Sequence, residues 1–154
     1  NQGTAFKVYL PSVQDGRNES KEATASDRSR AARGAGQRIL LVEDEEAVRE
    51  LASRALKENG YIVFEAGAYE EAIELFEREG GNFDIVFSDV VLPDKSGIRL
   101  IDDLLTREPG LQILVSSGYT DQKSQWPVIQ KKGFRFLQKP YSLVDLLGTI
   151  NELV

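Results

Sequence analysis

From residue 38 onward, short runs of apolar residues alternate with longer segments whose apolar positions recur every three or four residues. Arg38-Ile-Leu-Leu-Val-Glu43 is almost continuously apolar, the pattern of a strand buried on both faces of a parallel sheet. Residues 46–59 put Val48, Leu51, Ala52, Ala55 and Leu56 on one helical face, and Gly60 stops that helix. Residues 61–65 read as a strand and 69–78 as a helix with Ala72, Ile73, Leu75 and Phe76 inward. A third strand at 84–88 precedes a helix at 97–107, which buries Ile98, Ile101, Leu104 and Leu105 and ends before Pro109. Residues 111–116 form the fourth strand, 122–132 a weaker helix interrupted by Pro127, and 134–137 the fifth strand. Ser142 followed three residues later by Asp145 is a capping-box variant, opening a last helix whose inward face is Leu143, Leu146, Leu147 and Ile150. Five strand–helix units in about 117 residues predict a parallel sheet covered by helices on both faces. Sites in such sheets form at the carboxyl ends of the strands, which decides where chemistry is to be sought.

The first 37 residues break this pattern. Residues 4–11 alternate Phe6, Val8 and Leu10 with Ala5, Lys7 and Tyr9, the period of a half-buried strand, but residues 12–37 hold Val13 as their only large apolar residue. A segment so poor in apolar area does not offset its ordering entropy, so 12–37 is expected to be a flexible linker and 38–154 the folded domain. Charge divides at the same place: residues 1–37 hold six basic and four acidic residues, and residues 38–154 hold 13 basic and 21 acidic. The net charge of −6 argues against a nucleic-acid binder. No apolar run is long enough to span a bilayer, and no direct membrane contact is expected.

Composition narrows the chemistry further. The 154 residues include no cysteine and no histidine, which excludes disulfides, thiolate nucleophiles, imidazole general bases and zinc–thiolate sites. A bound metal must be held by oxygen, which favours a hard cation. Methionine is absent and the chain begins at Asn1, so a fragment of a longer protein is expected.

The strand ends supply the candidates. The first strand runs into Glu43-Asp44, the third into Ser88-Asp89, the fourth into Ser116-Ser117-Gly118 and the fifth into Gln138-Lys139-Pro140. If these strands are neighbours, three carboxylates, a hydroxyl and an ammonium converge. Clustered carboxylates repel unless a cation intervenes, and an all-oxygen set suits Mg²⁺ or Mn²⁺. Lys139 and Ser117 could then hold a second anion, such as a phosphoryl group, leaving one carboxylate free as a nucleophile that forms an acyl phosphate. Each residue also has a plainer role: Asp44 could cap the first helix, Glu45 and Glu46 could serve its dipole, and Ser117 and Lys139 could be a strand-end hydroxyl and a solvated ammonium.

Four segments, Leu41-Val-Glu-Asp-Glu45, Ser88-Asp-Val-Val-Leu-Pro-Asp-Lys-Ser-Gly97, Val115-Ser-Ser-Gly-Tyr119 and Phe136-Leu-Gln-Lys-Pro140, resemble the receiver domains of two-component response regulators, in order and at strand ends. The resemblance covers residues 38–154. It implies a (βα)5 doubly wound, flavodoxin-like receiver fold with strand order 2-1-3-4-5, and it assigns roles. Asp89 would accept a phosphoryl group from the phosphohistidine of a histidine kinase or phosphotransfer protein. Glu43, Asp44, Asp89 and the backbone carbonyl of Val91 would hold Mg²⁺ or Mn²⁺. Lys139 would pair with the phosphoryl group, Ser117 would be the switch hydroxyl and Phe136 the switch aromatic. The Lys139–Pro140 peptide would be cis. The acidic pair is Glu-Asp rather than Asp-Asp, which would give Glu43 a water-mediated role. A homodimer through the fourth helix, fourth strand and fifth helix is a further implication.

Residues 3–11 resemble the last strand of the ATP-binding domain of a sensor histidine kinase. With the linker and receiver behind it, this implies the C-terminal receiver of a hybrid kinase, cytoplasmic, in a parent that could be membrane-anchored. Three other readings fit less well. A stand-alone receiver lacks an account of residues 3–11. An aspartyl phosphohydrolase usually has an acid two residues after its nucleophile, and Val91 stands there. A flavodoxin-like cofactor binder needs a Ser/Thr/Gly-rich phosphate loop where this chain has Glu43-Asp-Glu-Glu46.

Overall fold

The computed structural model describes residues 34–154, the side chains of residues 119–125 left aside. The expected strand at residues 4–11 and most of the expected linker lie outside the described residues. Five strands, β1 (Arg38–Val42), β2 (Ile62–Ala66), β3 (Ile85–Asp89), β4 (Gln112–Ser117) and β5 (Arg135–Gln138), alternate with α1 (Glu46–Glu58), α2 (Tyr69–Arg78), α3 (Gly97–Arg107), α4 (Tyr119–Lys132) and α5 (Leu143–Asn151). The sheet is parallel throughout, in the order β2-β1-β3-β4-β5.

Strand alternation divides the interior in two. Leu40, Val42, Val86, Ile113 and Val115 face one core with α2, α3 and Ile129 of α4. Ile39, Leu41, Ile85, Phe87, Leu114 and Leu137 face the other with Ala52 and Leu56 of α1 and Leu146 and Ile150 of α5. Both faces of the central strands are therefore covered, as their unbroken apolar runs require. Arg38 closes the amino end of β1: its guanidinium lies 4.3 Å above the Phe64 ring, donates to the Asn82 carbonyl and pairs with Glu79 at 2.8 Å.

Helix ends follow local chemistry. Gly60, at φ +91°, ends α1 where a Cβ would stand 2.5 Å from the Gly34 carbonyl oxygen. Gly34 and Gly36 donate to the Asn59 and Gly60 carbonyls, so contacts with the domain begin ahead of Arg38. Ser142 accepts from the Asp145 N–H while Asp145 accepts from Ser142, the complete capping box.

Four expectations change. Strands β2 to β5 lie one residue later than their apolar runs suggest, which brings Asp89 and Ser117 into the strands as their last residues. Helix α4 begins at Tyr119 and runs through Pro127 to Gly133, whose φ of +70° ends it, so the proline removes one N–H without breaking the helix. Asp44 does not take the N-cap position of α1: that position is Glu45, whose side chain makes no capping bond. Leu51 and Leu143, expected inward, are 54% and 37% exposed, because they sit at the margins of their helix stripes. Together with Val48, Ala52, Pro140 and Tyr141 they line an apolar cavity of about 410 Å³ that reaches Lys139.

Candidate functional site

The carboxyl ends of the adjacent strands β1 and β3 set Glu43 and Asp89 side by side. Both are buried, at 2% and 8% exposure, while Asp44 is exposed. Oxygens of Glu43, Asp44 and Asp89 all lie within 4.8 Å of one another. Lys139 follows β5, where its N–H donates to the Ser117 carbonyl at 2.9 Å and the Lys139–Pro140 peptide is cis. From there its Nζ donates to Asp89 Oδ2 at 2.5 Å and to Glu43 Oε2 at 2.6 Å. The second Asp89 oxygen, Oδ1, accepts from the Val91 N–H at 3.1 Å.

These contacts set the proton affinities. Burial pushes the Glu43 carboxyl up, and its bonds to Lys139 offset that only partly. Burial alone would push the Lys139 ammonium down, but its hydrogen bonds to Asp89 and Glu43 win and raise it. Tyr141, beside Phe87, is pushed up to about 12 by burial and by the Glu43 charge.

The donor set fits a hard divalent cation on two grounds. Three carboxylates against one ammonium leave two negative charges, the charge one such ion balances. Glu43 Oε1 is buried and has no hydrogen-bond partner among the described residues, an acceptor whose desolvation is uncompensated until a cation or its water arrives. Glu43, Asp44 and Asp89 would hold the ion.

The structure thus brings Glu43, Asp44, Asp89 and Lys139 together directly. Ser117 is fully buried at the end of β4, its hydroxyl donating to the Gly118 carbonyl at 3.3 Å rather than to Asp89. Phe136 lies three residues before Lys139, packed against the α2–α4 core and edge-on to Trp126 at 5.1 Å. Val91 is exposed on the loop between β3 and α3. Two residues that sequence reasoning missed support the site. Arg49 of α1 donates to the Glu43 and Asp44 carbonyls at 2.5 and 3.4 Å, fixing the β1–α1 turn. Asp94 binds the start of α2 from the β3–α3 loop. Neither has a local signal in the sequence.

Gly97 closes that loop. Its N–H donates to the Val90 carbonyl at 2.8 Å, and a Cβ would fall 1.8 Å from the Asp89 carbonyl oxygen, where real Cβ atoms essentially never come within 3.0 Å. Gly97→Ala must therefore push α3 away from β3. The expected cost is about 3 kcal/mol, the upper range for overpacking. A urea titration giving less than about 1 kcal/mol would show that the loop yields without strain.

A parallel five-stranded sheet with order 2-1-3-4-5 and a lysine-bridged carboxylate cluster at its carboxyl edge defines a receiver-type α/β protein. The chain belongs to the response regulator receiver domain family, whose model matches residues 39–151. It is 37% identical to the sensor kinase CckA of Brucella abortus over 161 aligned positions, covering 99% of this chain and 16% of that protein. It is 32% identical to a cyclic di-GMP phosphodiesterase of Thermotoga maritima over 68% of this chain and 27% of that protein. The chain therefore spans about a sixth to a quarter of the length of these relatives. Among solved structures, the receiver domain of the hybrid histidine kinase CckA matches with a TM-score of 0.63 and 31% identity over 75% of this chain and 97% of that one. The chemotaxis response regulator CheY4 of Vibrio cholerae shares the fold, with a TM-score of 0.68 and 24% identity over 78% of this chain and all of that one. The chain is thus a receiver domain of two-component signalling, and its acidic cluster fits a phosphoacceptor site.

Proposed function

We propose that Asp89 accepts a phosphoryl group from a phosphohistidine and that the domain changes conformation in response. The observation that carries this reading is Lys139, which binds Asp89 and Glu43 at once with Asp44 alongside. A carboxylate oxygen of Asp89 attacks phosphorus, the phosphorus–nitrogen bond breaks with its electron pair going to the imidazole, and an acyl phosphate results. The chain has no histidine, so the donor belongs to another domain or protein. A Mg²⁺ or Mn²⁺ ion held by Glu43, Asp44, Asp89 and the Val91 carbonyl would supply positive charge to the phosphoryl oxygens. Lys139 exchanges the Asp89 carboxylate for the incoming anion without leaving the site. Ser117 then turns toward the phosphoryl group, Phe136 follows, and the face made by α4, β4 and α5 is remodelled, with homodimerisation there as one output.

We assign the domain to the C-terminal end of a hybrid sensor histidine kinase on the cytoplasmic side. The identity with CckA supports this, because it extends over 99% of the chain and so beyond the matched receiver residues. Among the described residues no helix is long and apolar enough to cross a membrane. The domain acts as a phosphoacceptor without substrate turnover of its own.

The test is incubation with Mg²⁺ and acetyl phosphate, read by intact mass and by peptide mapping. One added phosphoryl group on Asp89, labile to hydroxylamine and absent when EDTA is present, is expected. An unmodified protein, or modification that ignores EDTA, overturns the reading.

A further inference from the structure

Helix α2 starts behind Ala68, whose side chain caps nothing, yet its first two N–H groups are satisfied. The acceptor is Asp94, 25 residues away on the β3–α3 loop: Oδ1 accepts from Tyr69 N at 2.9 Å and Oδ2 from Glu70 N at 3.0 Å. Oδ1 also accepts from Lys95 N at 2.9 Å. Burial pushes the Asp94 carboxyl up, but these backbone donors outweigh it and hold it below the usual carboxylate range. The neighbouring side chains repeat the tie. Lys95 Nζ reaches Glu70 Oε1 at 2.5 Å and lies 4.0 Å above the Tyr69 ring, while Tyr69 donates its hydroxyl to Asp103 of α3 at 2.6 Å.

The same loop carries the Val91 backbone, whose N–H holds Asp89 Oδ1. It is pinned below by Gly97 N on the Val90 carbonyl and by the bridge between Val91 and Ser96. Its far side rests on Asp94. We propose that Asp94 is a positioning residue: by capping α2 across the gap it holds the Val91 backbone over the carboxylate cluster, and so sets the affinity for the divalent ion. The proposal rests on the metal reading given above. It differs from an ordinary stabilising cap in its reach, because the cost of losing it falls on ion binding.

Mn²⁺ titration followed by water-proton relaxation, with amide hydrogen exchange on the metal-free protein, tests this. Asp94→Ala is expected to weaken Mn²⁺ binding about tenfold or more, the range for residues that orient metal ligands. It should also speed exchange at Tyr69, Glu70 and Val91. Asp94→Asn, which keeps a capping oxygen, should restore most of the affinity. Arg38→Ala, at the opposite end of the sheet, should lower stability with Mn²⁺ affinity unchanged. Wild-type affinity in Asp94→Ala, or an equal loss in Arg38→Ala, overturns the proposal. If the wild type binds no Mn²⁺, the metal reading fails on its own, and unchanged exchange at Val91 then decides separately against Asp94.

Discussion

Asp89→Asn is expected to fold as the wild type does and to take no phosphoryl group from acetyl phosphate at any Mg²⁺ concentration. The amide is nearly isosteric, but its single oxygen can accept from either the Val91 N–H, which now meets Asp89 Oδ1 at 3.1 Å, or Lys139, and the NH₂ then faces the other donor. What disappears is the anionic oxygen that would attack phosphorus, together with one of the two carboxylates bound by Lys139. In the absence of metal, the relief of carboxylate crowding is opposed by loss of the Lys139 ion pair, so stability should stay close to wild type. Mn²⁺ should bind more weakly, because one carboxylate of the cluster is gone. Intact mass after incubation gives the answer. Labelling of this variant at the wild-type rate would place the acceptor elsewhere, Asp44 being the exposed acid of the cluster.

Lys139→Ala should separate ion binding from phosphoryl transfer. Uptake of the phosphoryl group is expected to fall about 10²–10³-fold, the usual cost of removing one preorganised cationic or hydrogen-bonding group from a developing anion. Ion affinity should move the other way, since the cluster then carries one more uncompensated negative charge. The metal-free variant should also respond to pH. Glu43 loses the partner that opposes its burial, so its folded-state carboxyl rises further above the unfolded value. A carboxyl raised on folding contributes stability that is full below the unfolded pKa and lost as pH climbs through the folded one. The variant should therefore be most stable relative to wild type in acid and least near neutrality. Lys139→Arg keeps the charge but exchanges a compact ammonium for a planar fork, and should recover only part of the rate. Wild-type uptake by the alanine variant would remove Lys139 from the reaction.

Most of the sheet was legible because each central strand must be apolar on both faces, and few other contexts demand that of the three short runs in β1, β3 and β4. The site residues were legible because the carboxyl ends of parallel strands converge whatever the loops do, so Glu43, Asp89 and Lys139 could be named from strand ends alone. The exact ends could not be read, since hydrogen-bond register and apolar pattern differ by one residue in β2 to β5. Leu51 and Leu143 misled for a related reason. Helical period ranks residues around an axis, but whether the edge of the stripe is covered depends on how far the next element reaches. Here Pro140 and Tyr141 stop short and leave a groove. Asp94 was invisible for a third reason: a cap is read from the residue just before a helix, and this one arrives from 25 residues away.

The placement of Trp126 has an optical consequence. It is the only tryptophan in the chain, and its ring meets Phe136 at 5.1 Å with the planes 81° apart. Indole emission from this domain is therefore the signal of a single corner, where Phe136 packs against the α2–α4 core. A change in its colour or intensity reports rearrangement around Phe136 and along α4, so the protein's own light is a probe of that corner.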